Sequence, residues 1–395
     1  MKNVLMSAAA IAALATAAQA DGHAPVKVGV ILGITGPNES LTPGMAAGAE
    51  LALSEASASG NFLGGKTLEP VRADSTCVDA AAASAAAERL ITAEGVVAIM
   101  GADCSGVTTA IANNVAVPNG VVMISPSATS PALSDIDDNG LFFRTAPSDA
   151  RQGAVLAQVL TDRGINSVAV TYTNNDYGKG FAEAFASSYT GTVEISAAHE
   201  DGKGDYSAEV GALAAAGGDA LVVLGYVDQG GRGVIQAALD TGAFDTFALG
   251  DGMFGESLLE AIGSDLDGST VGTVPGSEGQ GAGMFLEAMG AAGKDGDGPY
   301  RAESYDAAAL ITLAMQAGGD ATKEAVAANV LAVANAPGEK IYPGELAKAL
   351  QILADGGEVD YEGATGVELI GPGEAAGSYR EYEVQDGAFE TIKFR

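Results

Sequence analysis

A chain of 395 residues with 19 basic and 51 acidic side chains carries a formal charge of −32, which disfavours nucleic acid and anionic membranes as partners. The acids are spread along the chain without a single run, so they describe a solvated surface suited to high salt. Two histidines, two cysteines and no tryptophan leave little for a Ser-His-Asp triad or a histidine-based zinc site.

The chain opens on Met1-Lys2-Asn3, an apolar run from Val4 to Ala17, and Ala18-Gln19-Ala20 before the acidic Asp21. That is the pattern of a cleaved export signal over residues 1–20, too short to anchor in a bilayer. No cysteine sits at the cut, so lipid attachment is not expected, and the mature protein is expected outside the cytoplasm. His23 falls in its N-terminal stretch.

Strand and helix patterns then alternate. VKVGVIL (26–32) precedes a helix from about Pro43 to Ala58, and LEPVRAD (68–74) precedes an Ala-rich helix from Ala80 to Ala93. Cys77 and Cys104 each follow a strand, so they are expected at one sheet edge. An even pair in an exported chain predicts a disulfide, worth roughly 3–4 kcal/mol, with two buried thiols as the alternative.

From Gly101 to Pro131 the pattern is strand end, small-hydroxyl turn, helix from Ser105, strand, and a second small-hydroxyl turn. Each turn places Ser or Thr beside the free N–H groups of a following helix. Two such ends on one edge of a parallel sheet suit a carboxylate; otherwise they are two helix caps.

RTAPSDA (144–150), opening on Arg144, reads as a break, with Pro147 ending one element and Ser148 capping the next. The cycle restarts with helix 149–163, SVAVTYT (167–173), helix 178–189, TVEISAA, helix 206–216, ALVVLGY (220–226), helix 230–241 and TFALGD (246–251). STVGTVP (269–275) and the flexible-looking GSEGQGAG suggest another lobe crossing, three helices fill 281–354, and strands near GVELI, REYEVQ and FETIKF finish the chain. Apolar strands with crossover helices predict an α/β fold of two doubly wound lobes. His199 ends a strand among acids and reads as a surface residue. There is no phosphate-binding G-x-x-x-x-G-K-[ST] loop, and ILGITG (31–36) stands where a G-x-G-x-x-G would follow the first strand. The inventory is that of a binder, with no catalytic, metal or cofactor site expected.

VKVGVILGITGP, STCVDA, GADCSGVTTA, MISPSATSPAL, FFRTAPSDARQG, NNDYGKGFAEAF, LGYVDQGG, LGDGMFG and YRAESYDAAALITLAMQAGG occur in order over most of the mature chain. Together they resemble the periplasmic substrate-binding proteins of branched-chain amino acid ABC transporters, the leucine/isoleucine/valine-binding type. The resemblance implies the type I periplasmic-binding-protein fold, two Rossmann-like lobes joined by a three-strand hinge that close on a ligand. Its lobes would take residues 21–146 and 273–364 for the first, 147–272 for the second, and 365–395 for the hinge return and second-lobe strands.

Carried over position by position, Ser105 with Ser127, Ala128 and Thr129 would hold the ligand carboxylate. Tyr177 and Tyr226 would wall the ligand from the other lobe, and Asp251 would pair with its ammonium. Tyr300 would add an aromatic contact. The bland alternatives are a capping or core tyrosine at 177 and an acid at 251 that caps a helix at 255–262. Two departures bear on specificity: Glu39-Ser40-Leu41 stands where the family has a loop tyrosine, and Asp103 lies directly before Cys104. Asp103 is expected to hydrogen-bond locally and point away. The implied function is capture of an amino acid, branched-chain or a related small one, by a monomer that delivers it to an ABC permease. The alternatives are an amide, urea or small aromatic or aliphatic acid as ligand, or service as the sensor for a membrane receptor.

Overall fold

The computed structural model describes residues 24–395. The export segment, its cleavage site and His23 lie outside the described residues. Among those described, no helix is long and apolar enough to cross a membrane.

The strands in chain order are β1 (Val26–Leu32), β2 (Leu68–Asp74), β3 (Ala98–Gly101), β4 (Val122–Ser125) and β5 (Phe142–Arg144), then β6 (Ser167–Thr173), β7 (Thr192–His199), β8 (Ala220–Leu224), β9 (Phe247–Leu249) and β10 (Thr270–Pro275). β11 (Glu339–Ile341) and β12 (Val359–Tyr361) form a small parallel pair. β13 (Leu369–Ile370), β14 (Glu374–Ala375), β15 (Tyr379–Gln385) and β16 (Ala388–Phe394) end the chain. Two seven-stranded sheets result, ordered β13-β14-β5-β4-β3-β1-β2 and β16-β15-β10-β9-β8-β6-β7. β1 to β5 pair in parallel, as do β6 to β10, and helices cover both faces. Hence β3, β4 and β8 are buried at every residue, while β7 at the sheet edge alternates with the period of two of a half-covered strand.

The chain passes between sheets three times: after β5, after β10, and between β14 and β15. These crossings are tied to one another. The Tyr379 hydroxyl donates to Ser148 O at 3.0 Å, and Gly276 N–H donates to Ser378 O at 3.1 Å. Ser148 caps the helix Asp149–Asp162, its hydroxyl accepting from Ala150 N–H at 3.3 Å.

Three details depart from the sequence pattern. Four helices, not three, fill the stretch after β10: Gln280–Ala291, Arg301–Gly318, Lys323–Ala334 and Leu346–Ala354. The glycines of GSEGQGAG are partly helical. At Gly281 an added Cβ would lie 1.9 Å from Gly363 O, so glycine there serves close packing, not flexibility. Finally, the pattern assigns 365–395 to the hinge return and second lobe, but β13 and β14 extend the first sheet. β14 pairs with β5 beside an Arg144–Glu374 ion pair that places the acid next to a buried guanidinium.

Candidate binding site

β3 and β4 are neighbours, and both C-terminal ends open toward the second lobe, the place where open α/β sheets bind ligands. Cys104 is extended and precedes the helix Ser105–Ile111. It is bonded to Cys77 with a Cα–Cα distance of 5.1 Å across 27 residues, as expected from the two strand ends. Asp103 is held locally: one carboxylate oxygen accepts from Gly33 N–H at 2.8 Å and Ser75 Oγ at 2.9 Å. Burial pushes its carboxyl up, and those donors oppose the shift. It nonetheless forms part of the cavity wall.

The second turn is stitched to the first. Ser127 Oγ donates to Asp103 O at 2.9 Å, and Ser105 Oγ accepts from Ser130 N–H at 3.1 Å. Ser125 Oγ takes Ala128 N–H at 2.9 Å. The turn then runs into a five-residue 3₁₀ segment, Pro131–Asp135, and not a second helix, so of the two helix ends expected from these turns only the one at Ser105 is present. The sequence signal failed there because Pro131 starts only a short 3₁₀ turn, which gives way at Ile136 to the loop leading into β5.

From the second lobe, Tyr177 begins the helix Asp176–Ser188, which Asn175 caps by accepting from Gly178 N–H at 3.1 Å. Tyr226 comes just after β8, and the two rings stack at 5.3 Å between centroids. The Tyr177 hydroxyl donates to Asp251 at 2.9 Å and accepts from Gly252 N–H at 3.1 Å. Across the cleft, the Tyr300 hydroxyl donates to the other Asp251 oxygen. Tyr300 sits at φ 61°, a costly backbone for an aromatic residue, and this delivers its ring to the cleft. Asp251 is 3 % exposed. Burial pushes its carboxyl up, while the hydroxyls of Tyr300 and Tyr177 pull it back. It does not cap the helix Glu256–Ile262, whose N-cap is Gly255.

Six of the residues singled out from sequence thus border one cavity between the lobes: Ser105, Ser127, Tyr177, Tyr226, Asp251 and Tyr300. Ala128 and Thr129 lie behind it, fully buried. Ala128 O accepts from the Arg144 guanidinium at 3.0 Å, and Thr129 O from Asp149 N–H at 2.8 Å. The enclosed space is about 20 Å³, room for about one water.

Sequence reasoning missed Asn38 and Met45, which with Leu41 of the departing loop complete the first-lobe wall. The loop PNESLTPG carried a signal only as a departure. In the structure it bridges the lobes, with Ser40 N–H donating to Asp228 at 2.8 Å, Ser257 Oγ donating to the same carboxylate at 2.7 Å, and Asp228 N–H donating to Pro37 O at 3.0 Å. On the other side Ser130 Oγ reaches Asp176 O at 3.0 Å. His199 is not on the surface. It is 1 % exposed, its Nδ1 lies 2.8 Å from Thr171 Oγ1, and burial lowers its pKa to about 4.

The profile of the periplasmic binding protein family matches residues 25–340. A chemotactic signal transduction system substrate-binding protein of Halobacterium salinarum is 28 % identical over 93 % of this chain and 89 % of its own. A Leu/Ile/Val-binding protein of Rhizobium johnstonii is 31 % identical over 68 % of this chain and 72 % of its own. The crystal structure of a branched-chain amino acid transporter substrate binding protein from Streptococcus pneumoniae, in complex with isoleucine, shares the fold. It superposes with a TM-score of 0.77 at 23 % identity, covering 94 % of this chain and 99 % of that one. With two parallel-sheet lobes facing each other across a walled cavity, this chain belongs to the periplasmic binding protein family and is a solute-binding protein.

Proposed function

We propose that the protein captures an amino acid, branched-chain or a related small one, outside the cytoplasm and hands it to an ABC permease. The observation that carries this reading is Asp251, a buried carboxylate facing the hydroxyl turns of Ser105 and Ser127 across one cavity. An acid on one lobe opposite a helix end and hydroxyls on the other complements a zwitterion, ammonium to Asp251 and carboxylate to Ser105. Tyr177 and Tyr226 supply the apolar wall. The enclosed space is too small for leucine, so capture requires the lobes to part and reclose. A ligand that touches both lobes favours the closed form because only that form offers all its contacts.

Thermal unfolding of the mature protein against the protein amino acids, their amides, urea, short-chain acids and benzoate tests the reading. A bound amino acid should stabilise by about 2.7 kcal/mol at a hundredfold excess over Kd. If plain acids or amides shift the melt and amino acids do not, the assignment of Asp251 to an ammonium is wrong.

A sensor role is the second reading. It is favoured by the Halobacterium relative named for chemotactic signal transduction, which aligns over most of both chains. Loss of labelled amino acid uptake in a strain lacking the gene supports transport; loss of the swimming response with uptake intact supports sensing.

A further inference from the structure

A second cavity, about 240 Å³, lies against the hinge and shares only Tyr300 with the cleft. Phe285 and Glu303 reach it from the helices Gln280–Ala291 and Arg301–Gly318, and Val274 from the end of β10 at the second crossing. Arg380 comes from β15, Phe394 from β16, and Phe254 from the segment after β9. Leu286, 49 % exposed, stands at its mouth. The space exceeds the roughly 150 Å³ in which an apolar cavity accepts benzene, so a substituted ring fits. Apolar walls with a few polar groups are the make-up of a small-molecule site.

Two polar side chains interrupt that lining, and neither is matched. The Arg380 guanidinium lies 4.7 Å over the Phe254 ring. Its Nη2 donates to Phe389 O only at 3.4 Å, and Nε is sealed without a partner. Among the described residues its one ion-pair partner, Asp297, is 3.7 Å away and 80 % exposed. A fork of five N–H donors is thus left with one long hydrogen bond. Glu303 is 4 % exposed, and among the described residues only its own backbone hydrogen-bonds its carboxyl. Burial raises that carboxyl to about 8, so at neutral pH it is uncharged and does not repel an anion.

We infer that this cavity is a second ligand site, which takes a small aromatic or branched aliphatic monocarboxylate. The carboxylate pairs with Arg380, where the guanidinium offers it two parallel donors, and the apolar body lies among Phe254, Val274 and Phe285. The site is separate from the cleft and does not depend on the amino-acid reading. Its walls belong to both lobes, so an acid seated there favours the closed form, as a ligand in the cleft does.

Calorimetric titration with benzoate tests this, beside benzamide, which lacks the charge, and benzylamine, which reverses it. One benzoate should bind per chain, and the other two should bind about tenfold more weakly or worse. Arg380→Gln should weaken benzoate about tenfold or more. Ala282→Leu, which fills the cavity and leaves Arg380 in place, should do the same. Asp251→Asn should leave benzoate unchanged, and leucine should bind at least as tightly with benzoate present. Melting curves show that each variant is folded. Undiminished benzoate affinity in either folded variant overturns the inference, as does a wild type that does not bind benzoate. Competition between benzoate and leucine overturns it too, because the acid would then sit in the cleft. Benzylamine binding more tightly than benzoate would make Glu303 the anchor and overturn it as well. Failure of leucine to bind faults the amino-acid reading alone, since the two cavity variants still judge this site.

Discussion

Asp251 receives two phenol hydroxyls from opposite sides of the cleft, Tyr177 from the second lobe and Tyr300 from the first. The same carboxylate thus joins the two lobes and presents a negative charge to the cavity. Asp251→Asn keeps the shape and removes the charge, so amino acid affinity should fall about 10- to 100-fold by calorimetry while the protein stays folded. A second residue-scale prediction concerns Glu303, whose carboxyl burial raises to about 8. A raised carboxyl binds its proton more tightly in the folded state, so stability is present at low pH and is lost as pH climbs toward 8. The slope is at most about 1.4 kcal/mol per pH unit. His199, lowered to about 4, acts the other way but only below its ordinary value near 6.5. Between pH 6.5 and 8 the melting temperature should therefore fall, and Glu303→Gln should flatten that slope. An unchanged slope in the variant would assign the titration elsewhere. Such residues were legible unequally. Asp251 ends an apolar strand where a cleft is expected, so sequence found it. His199 sits in an acidic stretch, yet as the last residue of an alternating strand it falls on the inward side.

At the scale of elements, the alternation of apolar strands and Ala-rich helices gave the order of nine of the strands β1 to β10, because strands buried on both faces leave continuous apolar runs; the short β5 reads as a break instead. The region after β10 was harder to read: helix packing replaces strand alternation there, and glycines such as Gly281 mark close contact instead of a loop. The loop before the first helix was unreadable for another reason, since Ser40 gains meaning only from Asp228 on the other lobe. Asp228 accepts from Ser40 N–H and Ser257 Oγ, so Asp228→Ala removes two bonds beside the closed cleft. The variant should bind amino acids several-fold more weakly, mainly through faster release in stopped-flow measurements, and should scatter X-rays as a more open particle when free. Equal release rates would make the loop a bystander. The Cys77–Cys104 bond, which closes 27 residues at the same wall, should contribute roughly 3–4 kcal/mol. Denaturant unfolding of a double Cys→Ser variant measures it.

For the whole molecule the governing quantity is a charge of −32. Even if every base paired with one acid, that excess would remain, so ion pairs cannot neutralise the surface. Most of the pairs present lie at the solvent boundary, where water and salt screen them and each contributes little. In the proposed capture cycle, closing two acidic lobes on each other would bring like charges together, and the repulsion would oppose both folding and closure. Salt shortens the reach of that repulsion from about 8 Å at physiological ionic strength to about 3 Å at 1 M. The buried cleft is screened far less, so the attraction between an ammonium and Asp251 should survive where surface repulsion does not. A titration of KCl from 0.05 to 2 M (about the span between dilute buffer and brine) separates the two effects. The melting temperature should rise steadily, and amino acid affinity should hold or increase, because closure becomes easier while the site keeps its charge. Affinity that falls with salt in step with screening would mean that the ammonium is attracted by the surface as a whole. That outcome would remove Asp251 as the source of selectivity even if the melting temperature behaved as expected.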